Sequence, residues 1–234
     1  MDKFDILNPA LFQAQVFMLI AIRLTAVFMS APILNSGNIP VQVKIAFAFL
    51  TAFLIFPVVD KNVVLPADTV SYGILIFNQV LVGVIVGFAA YLIFAAIQLA
   101  GQIVDLQMGF GIVNVIDPMS NTQVSIIGQF QFVLGMLIFL SINGHHFLFQ
   151  AITDSFRLAP INSVGITEAT AVRLSEMFYK MFLIAFKIAG PATLALFLTN
   201  VTLGLIARTI PQMNVFIVGP VSYTHLTLPT KRIV

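Results

Sequence analysis

Apolar residues in this chain are gathered into long runs. The main runs are Ala10–Ala31, Ile45–Val59, Val70–Val104, Ile126–Ile152 and Met177–Ala207, which divide into five or six apolar segments. A bilayer core of about 30 Å is crossed by about 20 apolar residues in helical form. At about 1.5 Å per residue, the third and fifth runs are too long for one perpendicular span. The third is expected to tilt, to bend at Gly83 or Gly87, or to extend beyond the bilayer. The fifth is expected to break or kink at Gly190–Pro191, giving two helical arms, because proline has no N–H and its ring crowds the preceding turn. Polar connectors fall at Asn35–Lys44, Asp60–Thr69, Asp105–Ser125 and Asp154–Glu176. There is no repeat of solenoid length and no low-complexity tract.

Composition sharpens this pattern. Of 234 residues, 59% are hydrophobic and 9% charged, against roughly 25% charged in soluble domains. An all-α membrane protein of long helices follows. Phe is abundant and Trp absent, so the usual Trp anchors at the membrane interface are missing. The absence of Cys excludes disulfides, thiolate metal sites and Cys nucleophiles. A net charge of +2 with no basic patch gives no nucleic-acid signal. Met1–Asn8 is mixed in charge and the first apolar run has no clear small-residue cleavage site, so no cleavable signal peptide is expected. Basic residues are spread thinly over the connectors, which leaves the positive-inside rule little asymmetry to act on.

Charges inside the apolar runs are more informative. Arg23, Lys180 and Lys187 lie where a central charge costs at least about 2.5–3.5 kcal/mol. Lys180 and Lys187 are seven residues apart and share one helix face. Two readings stand: their heads snorkel towards a helix end, or these residues face partner subunits rather than lipid. Small and weakly polar residues throughout the runs suit close helix packing.

Candidate chemistry is sparse. Asp105 and Asp117 form either a carboxylate pair or unrelated loop and helix-end carboxylates, since nothing in the sequence fixes their separation. The stretch "NGHHF" (Asn143–Phe147) sets His145 beside His146. Neighbours on a helix point about 100° apart, so the pair is poorly placed to share a metal ion, and a structural or interface role is expected. No phosphate-binding loop, nucleophile elbow or zinc-protease pattern occurs. No enzyme activity, cofactor or metal is expected.

One connector is unusual. "DLQMGFGIVNVIDP" (Asp105–Pro118) lies between two uncharged runs, Thr69–Val104 and Pro118–Thr153. Non-helical backbone at membrane depth survives only where protein buries it or where it lines a water-filled cavity. Gly109 and Gly111 permit unusual backbone angles. Met108, Phe110, Ile112 and Val113 supply apolar bulk suited to a constriction that excludes water. An ordinary connecting loop touching the membrane surface is the competing reading.

The order and spacing of "DLQMGFG" with a following "DP", then "NGHHF", then "IARTIPQMNVFIVG", resembles the FliR family of flagellar export-gate proteins and its virulence type III secretion counterparts. Arg23 with "APIL" (Ala31–Leu34) and "IPVQVK" (Ile39–Lys44) extends the match, which covers roughly residues 10 to 219. The resemblance implies a FliP-like N-terminal part and a FliQ-like C-terminal hairpin within a single export-gate domain, residues 1–220. It implies assembly with FliP and FliQ homologues, an FlhB homologue on the cytoplasmic side, and a path for unfolded flagellar proteins across the bacterial inner membrane at the flagellar basal body. It makes the loop from Gln107 to about Asn121 a channel plug, with Met108, Gly109, Phe110, Gly111, Ile112, Val113 and Asn114 as its obstructing part. Arg23, Lys180, Lys187, Arg208, Pro211, Gln212 and Asn214 become candidates for contact with partner subunits.

The last residues depart from this family. "PVSYTHLTLPTKRIV" is polar and Thr-rich where an apolar stretch is expected, and residues 221–234 read as a non-native tail translated from a sequencing adapter. Two other functions compete with a flagellar gate subunit. One is the equivalent subunit of a virulence secretion system. The other is a small-solute transporter with a midplane site near Lys187 and Gly190–Pro191, against which stands the lack of an acidic partner in either long run.

Overall fold

The computed structural model describes residues 3–32, 39–59, 65–66, 68–109, 125–162 and 168–209, with side chains from residue 11 onward. Among the described residues there are six helices and no strand: α1 (Lys3–Ser30), α2 (Val41–Ile55), α3 (Thr69–Gln107), α4 (Ile126–Ser141), α5 (Gly144–Leu158) and α6 (Glu168–Thr209). Three of them, α1, α3 and α6, are long and apolar enough to cross a membrane; α4 and α5 together make a fourth candidate, bent by 75°. The all-α membrane architecture expected from the apolar runs is present.

Local chemistry sets the helix ends. Asp68 accepts a hydrogen bond from the Ser71 backbone N–H at 3.2 Å, which satisfies a free amide in the first turn of α3. At the other end Gly109 takes φ +78°, and its N–H donates to the Leu106 carbonyl at 3.3 Å. A left-handed residue is the common way to end a helix, and glycine adopts it without a Cβ clash. Helix α2 ends at Ile55, and its C-cap Phe56, although it precedes Pro57, keeps helical dihedrals (φ -48°, ψ -42°) and donates its N–H to the Ala52 carbonyl at 2.8 Å.

The chain divides into two compact units. The first comprises residues 1–94 and 136–178. Its core is built on one face of α1, where Val16, Leu19, Ile20, Leu24, Val27 and Phe28 recur at helical spacing. Ala48 and Ala52 of α2 and Leu148, Ile152 and Phe156 of α5 complete it, with Tyr72, Leu75 and Val86 of α3 packed against it. The second unit comprises residues 95–135 and 179–234. Its described core is smaller: Ala100, Val104 and Met108 against Ala189 and Leu196.

The structure bears on three expectations about helix continuity. First, α6 runs unbroken from Glu168 to Thr209 with Pro191 inside it, so no pair of arms meets at Gly190. One proline removes one ladder bond, and membrane helices tolerate this where local adjustment and hydroxyl groups compensate. The Thr193 hydroxyl adds a bond to the Gly190 carbonyl at 2.9 Å beside the interruption. Second, α3 is one continuous helix of 39 residues, longer than a perpendicular span, and Gly83 and Gly87 serve contact. A Cβ on Gly83 would lie 2.4 Å from the Arg23 carbonyl oxygen, and one on Gly87 would lie 2.7 Å from the Val27 carbonyl oxygen. The two glycines let α3 approach the backbone of α1. Third, the run Ile126–Ile152 is two helices. Asn143 adopts the left-handed conformation (φ 58°, ψ 33°) between α4 and α5. Asn visits that region more readily than most residues. Gly144 follows because a Cβ there would sit 2.4 Å from the Phe139 ring.

Candidate functional site

Two constellations of buried polar groups stand out, one in each unit. In the first unit, Arg23 is fully buried on α1. Its Nε donates to Gln79 Oε1 at 2.8 Å and its Nη1 to the Ser155 carbonyl at 3.0 Å. The guanidinium carbon lies 4.2 Å from the centroid of the Phe156 ring, a cation–π distance. Gln79 is itself fully buried and donates from Nε2 to the Ile161 carbonyl at 2.8 Å. One cation and one amide thus join α1, α3, the end of α5 and the turn after it. Arg23 Nη2 has no hydrogen-bond partner among the described residues. The sequence marked Arg23 as a candidate for contact with other subunits; its partners lie inside this chain.

Near this network, α3, the end of α4, α5 and the start of α6 line a cavity of about 810 Å³. Its walls are almost entirely apolar, including Val86, Phe94, Phe139 and Leu148, with Arg173 among the few polar residues. Arg173 pairs with Glu176 at 3.3 Å across one helical turn, and both side chains are solvent-accessible. Such exposed pairs contribute little to stability.

The histidine pair follows the bend. The rings of His145 and His146 meet edge to face with centroids 4.4 Å apart. His145 Nδ1 is buried without a partner among the described residues. Among the described residues no group of three or more His, Asp or Glu is placed to hold a metal ion.

In the second unit, the end of α3 is tied to the start of α4. Ser125 occupies the N-cap of α4, where its Oγ accepts the Gly128 N–H at 2.8 Å. Asp105, near the end of α3, accepts the Ile127 N–H at 3.3 Å on Oδ2 and accepts the Ser125 hydroxyl on the same atom. Asp105 is buried, and its Oδ1 has no partner among the described residues. Two of the unpaired amides at the start of α4 are thereby satisfied, one by its own cap and one by a carboxylate from α3. One turn back along α3, a Cβ on Gly101 would meet the Gly128 Cα at 2.3 Å, so the two backbones touch there.

The remaining sequence candidates are distributed as follows. Met108 is buried in the second unit's core, and Gly109 ends α3. Lys180, Lys187 and Arg208 are exposed on α6. Phe110, Gly111, Ile112, Val113, Asn114, Pro211, Gln212 and Asn214 lie outside the described residues, as do Asp117 and residues 221–234. The structure adds Gln79 and Ser125, which sequence reasoning passed over. Gln79 had a signal, an amide that stands with Asn78 within an uncharged apolar run. Ser125 had another, a hydroxyl immediately before a helical apolar stretch.

Comparison with known proteins fits this architecture. The family model for bacterial export proteins, family 1, matches residues 14–226. The flagellar biosynthetic protein FliR of Bacillus subtilis (strain 168) is 40% identical over 206 residues, spanning 87% of this chain and 79% of that protein. FliR of Escherichia coli (strain K12) is 31% identical over 198 residues, 85% and 76% of the two chains. FliR of Aquifex aeolicus (strain VF5) is 30% identical over 197 residues, 84% and 76%. With nearly its whole length matched, and with relatives that carry the same name over most of theirs, this chain belongs to family 1 of the bacterial export proteins.

Proposed function

We propose that this chain is a channel subunit of the flagellar protein export gate. It passes unfolded flagellar proteins across the bacterial inner membrane at the flagellar basal body, assembled with FliP, FliQ and FlhB homologues. The observation that carries this reading is the near full-length match to relatives named flagellar biosynthetic protein FliR. Their flagellar name favours a flagellar gate over a virulence one.

The surface supports an assembled state. Apolar side chains project from the uncovered faces of two helices: Leu50, Phe53 and Leu54 on α2, and Phe186, Phe197 and Leu205 on α6. Lys187 is exposed within that apolar surface of α6. A lipid-facing lysine is costly, so contact with a partner subunit is the reading adopted for Lys187, and the same is proposed for Lys180 and Arg208. Pro211, Gln212 and Asn214 are assigned to the same interface.

Residues Met108–Asn114 are assigned to the plug of the closed channel, with Phe110 as its bulk. The left-handed Gly109 that ends α3 supports a change of chain direction there. A dry constriction depends on apolar surfaces meeting closely. Phe110→Ala opens space that water can enter, and deletion of Gly109–Asn114 removes the obstruction. Ion conductance through the purified gate complex tests this, with complex abundance measured in parallel. Increased leak from both variants at normal abundance is the expected result. Fully assembled complexes as tight as the parent would return the stretch to an ordinary connecting loop.

A further inference from the structure

The cavity of the first unit is long, apolar and charged at its mouth. Its volume, about 810 Å³, lies within the range of small-molecule pockets, roughly 300–1,000 Å³. On one side it follows α3 from Val82 to Phe94, about 18 Å at about 1.5 Å per residue. On another it follows α5 from Gly144 to Ala159, and the two helices run in opposite directions along it. At one end the Phe94 and Phe139 rings meet with centroids 5.5 Å apart, and Gly144 lies against Phe139. At the other end the Arg23 guanidinium joins Gln79, just before Val82, to Ser155. The walls between are apolar, with Val86, Ala89 and Ala151 among them. Among the described residues, the polar side chains of the lining are Ser155, near the end of α5, and Thr170 and Arg173, in the first two turns of α6. The Ser155 hydroxyl is committed to the Ile152 carbonyl at 2.7 Å. Arg173 lines the cavity while its side chain is 80% accessible, so it stands at an opening. Asp154, Arg157, Glu168 and Glu176 lie near the same helix ends. Charges are costly at membrane depth, so this cluster marks the level at which these helices meet water. Each arginine has a carboxylate one turn away: Arg157 with Asp154 at 3.6 Å, and Arg173 with Glu176 at 3.3 Å.

We infer that this cavity is a phospholipid site, with an acyl chain lying along α3 and the headgroup phosphate held by Arg173. Both parts of a lipid fit it. A slot of about 18 Å is close to the hydrocarbon depth of one leaflet, half of about 30 Å. An acyl chain meets walls as apolar as its ordinary surroundings, whereas a polar ligand would lose its hydrogen bonds to water along them. A guanidinium binds phosphate oxygens by two parallel hydrogen bonds. Glu176, paired with Arg173, offers a carboxylate to an ammonium group. With an acid beside each arginine, the mouth suits a zwitterionic headgroup better than an anionic one. A primary ammonium can donate hydrogen bonds to Glu176 and a quaternary one cannot, so the lipid is a phosphatidylethanolamine. The inference requires that the chain lie in a membrane and is independent of the export reading.

The full chain is purified from membranes in mild detergent with the subunits that accompany it. It is titrated with phosphatidylethanolamine, or with phosphatidylglycerol as the anionic comparison, and bound lipids are counted by native mass spectrometry. The parent should hold one phosphatidylethanolamine per copy of this chain that Ala151→Trp and Ala89→Phe lack, because a ring at either position occupies the cavity. Arg173→Ala should weaken retention about two- to fivefold, the effect of one exposed ionic contact. Glu176→Gln should remove the preference over phosphatidylglycerol. Equal lipid counts in the parent and an assembled filled variant overturn the proposal, and preferential retention of phosphatidylglycerol by the parent overturns the zwitterionic headgroup. If neither filled variant assembles, a photoreactive benzoylphenylalanine in place of Ala151 decides, in vesicles of the two lipids in equal parts. An adduct enriched in phosphatidylethanolamine is the expected result. An adduct with another protein chain would make the cavity the seat of a partner helix, and one that follows the bulk lipid mixture would reduce it to ordinary bilayer contact; both overturn the site.

Discussion

Arg23 and Gln79 hold each other in place: the guanidinium donates to the Gln79 amide oxygen at 2.8 Å, and the Gln79 amide nitrogen is committed to the Ile161 carbonyl at the same distance. The relay links residues 56 apart and gives α1 a fixed rotation against α3. A charged group inside an apolar unit is tolerated because hydrogen bonds and a ring face surround it.

Removing that cation should therefore damage the subunit itself. Arg23→Leu leaves the buried Gln79 oxygen without its donor, at about 1–3 kcal/mol, while the Ser155 carbonyl keeps the Ala159 N–H at 2.9 Å. Arg23→Lys keeps the charge but cannot serve both acceptors from a planar fork, and should lie between the two. Thermal denaturation of the detergent-solubilised complex checks the order: parent, then lysine, then leucine. A leucine variant as stable as the parent would show that the relay contributes nothing.

The glycines of α3 separate contact from flexibility. Gly83→Ala drives a Cβ to 2.4 Å from the Arg23 carbonyl oxygen, a backbone atom that cannot rotate away. Overpacking of this kind costs about 1–3 kcal/mol. Gly73, on the same helix, has nothing within 4 Å of a built Cβ. Gly73→Ala should be neutral or stabilise by roughly 0.8–1 kcal/mol, the helix-propensity gain. The same denaturation assay reads both, and equal behaviour of the two variants would refute the contact role.

The bend after α4 depends on one residue. Asn143→Ala forces an ordinary L-residue into the left-handed region, at about 1–2 kcal/mol. Asn143→Gly should be tolerated, because glycine enters that region freely. If the bend instead follows from packing alone, alanine and glycine will behave alike. Comparison of subunit abundance in the membrane and of thermal midpoints distinguishes the two cases.

The sequence made the helices readable and misplaced their interruptions. Long apolar runs dictate helices at membrane depth because every backbone group must be satisfied locally. Breaks depend on tertiary detail. Gly190–Pro191 carries the strongest local breaking signal, yet no neighbouring atom lies within 4 Å of a Cβ built on Gly190, and the helix passes through. Asn143 carries a weaker signal, and there the chain turns by 75°. The sites divide in the same way. Arg23 was conspicuous as a charge in an apolar run, but its acceptor on Ser155 is 132 residues away, so the direction it faces could not be read locally. Asp105 and Ser125 bracket the most unusual connector, and their bond across 20 residues becomes visible only when α3 and α4 are placed side by side.

Pro191 supplies the last test, since the structure makes it a tolerated defect and not a hinge between arms. It lies exposed in the middle of α6, between the buried positions Ala189 and Leu196. Its missing N–H leaves the Lys187 carbonyl without its helical donor. Pro191→Ala restores that donor and removes the ring from the preceding turn. In exposed soluble helices the exchange is worth about 3 kcal/mol. The gain here should be smaller, because membrane helices already compensate the freed groups locally. The expected result is a complex that assembles normally, with an equal or higher thermal midpoint and slower amide exchange around residues 188–192. Loss of assembly, or a fall in the midpoint, would mean that the proline ring or a bend at this point is needed by the assembled gate. Export of flagellar proteins by the same variant gives the functional counterpart. Normal export with raised stability would show that α6 acts as one continuous helix in the working complex.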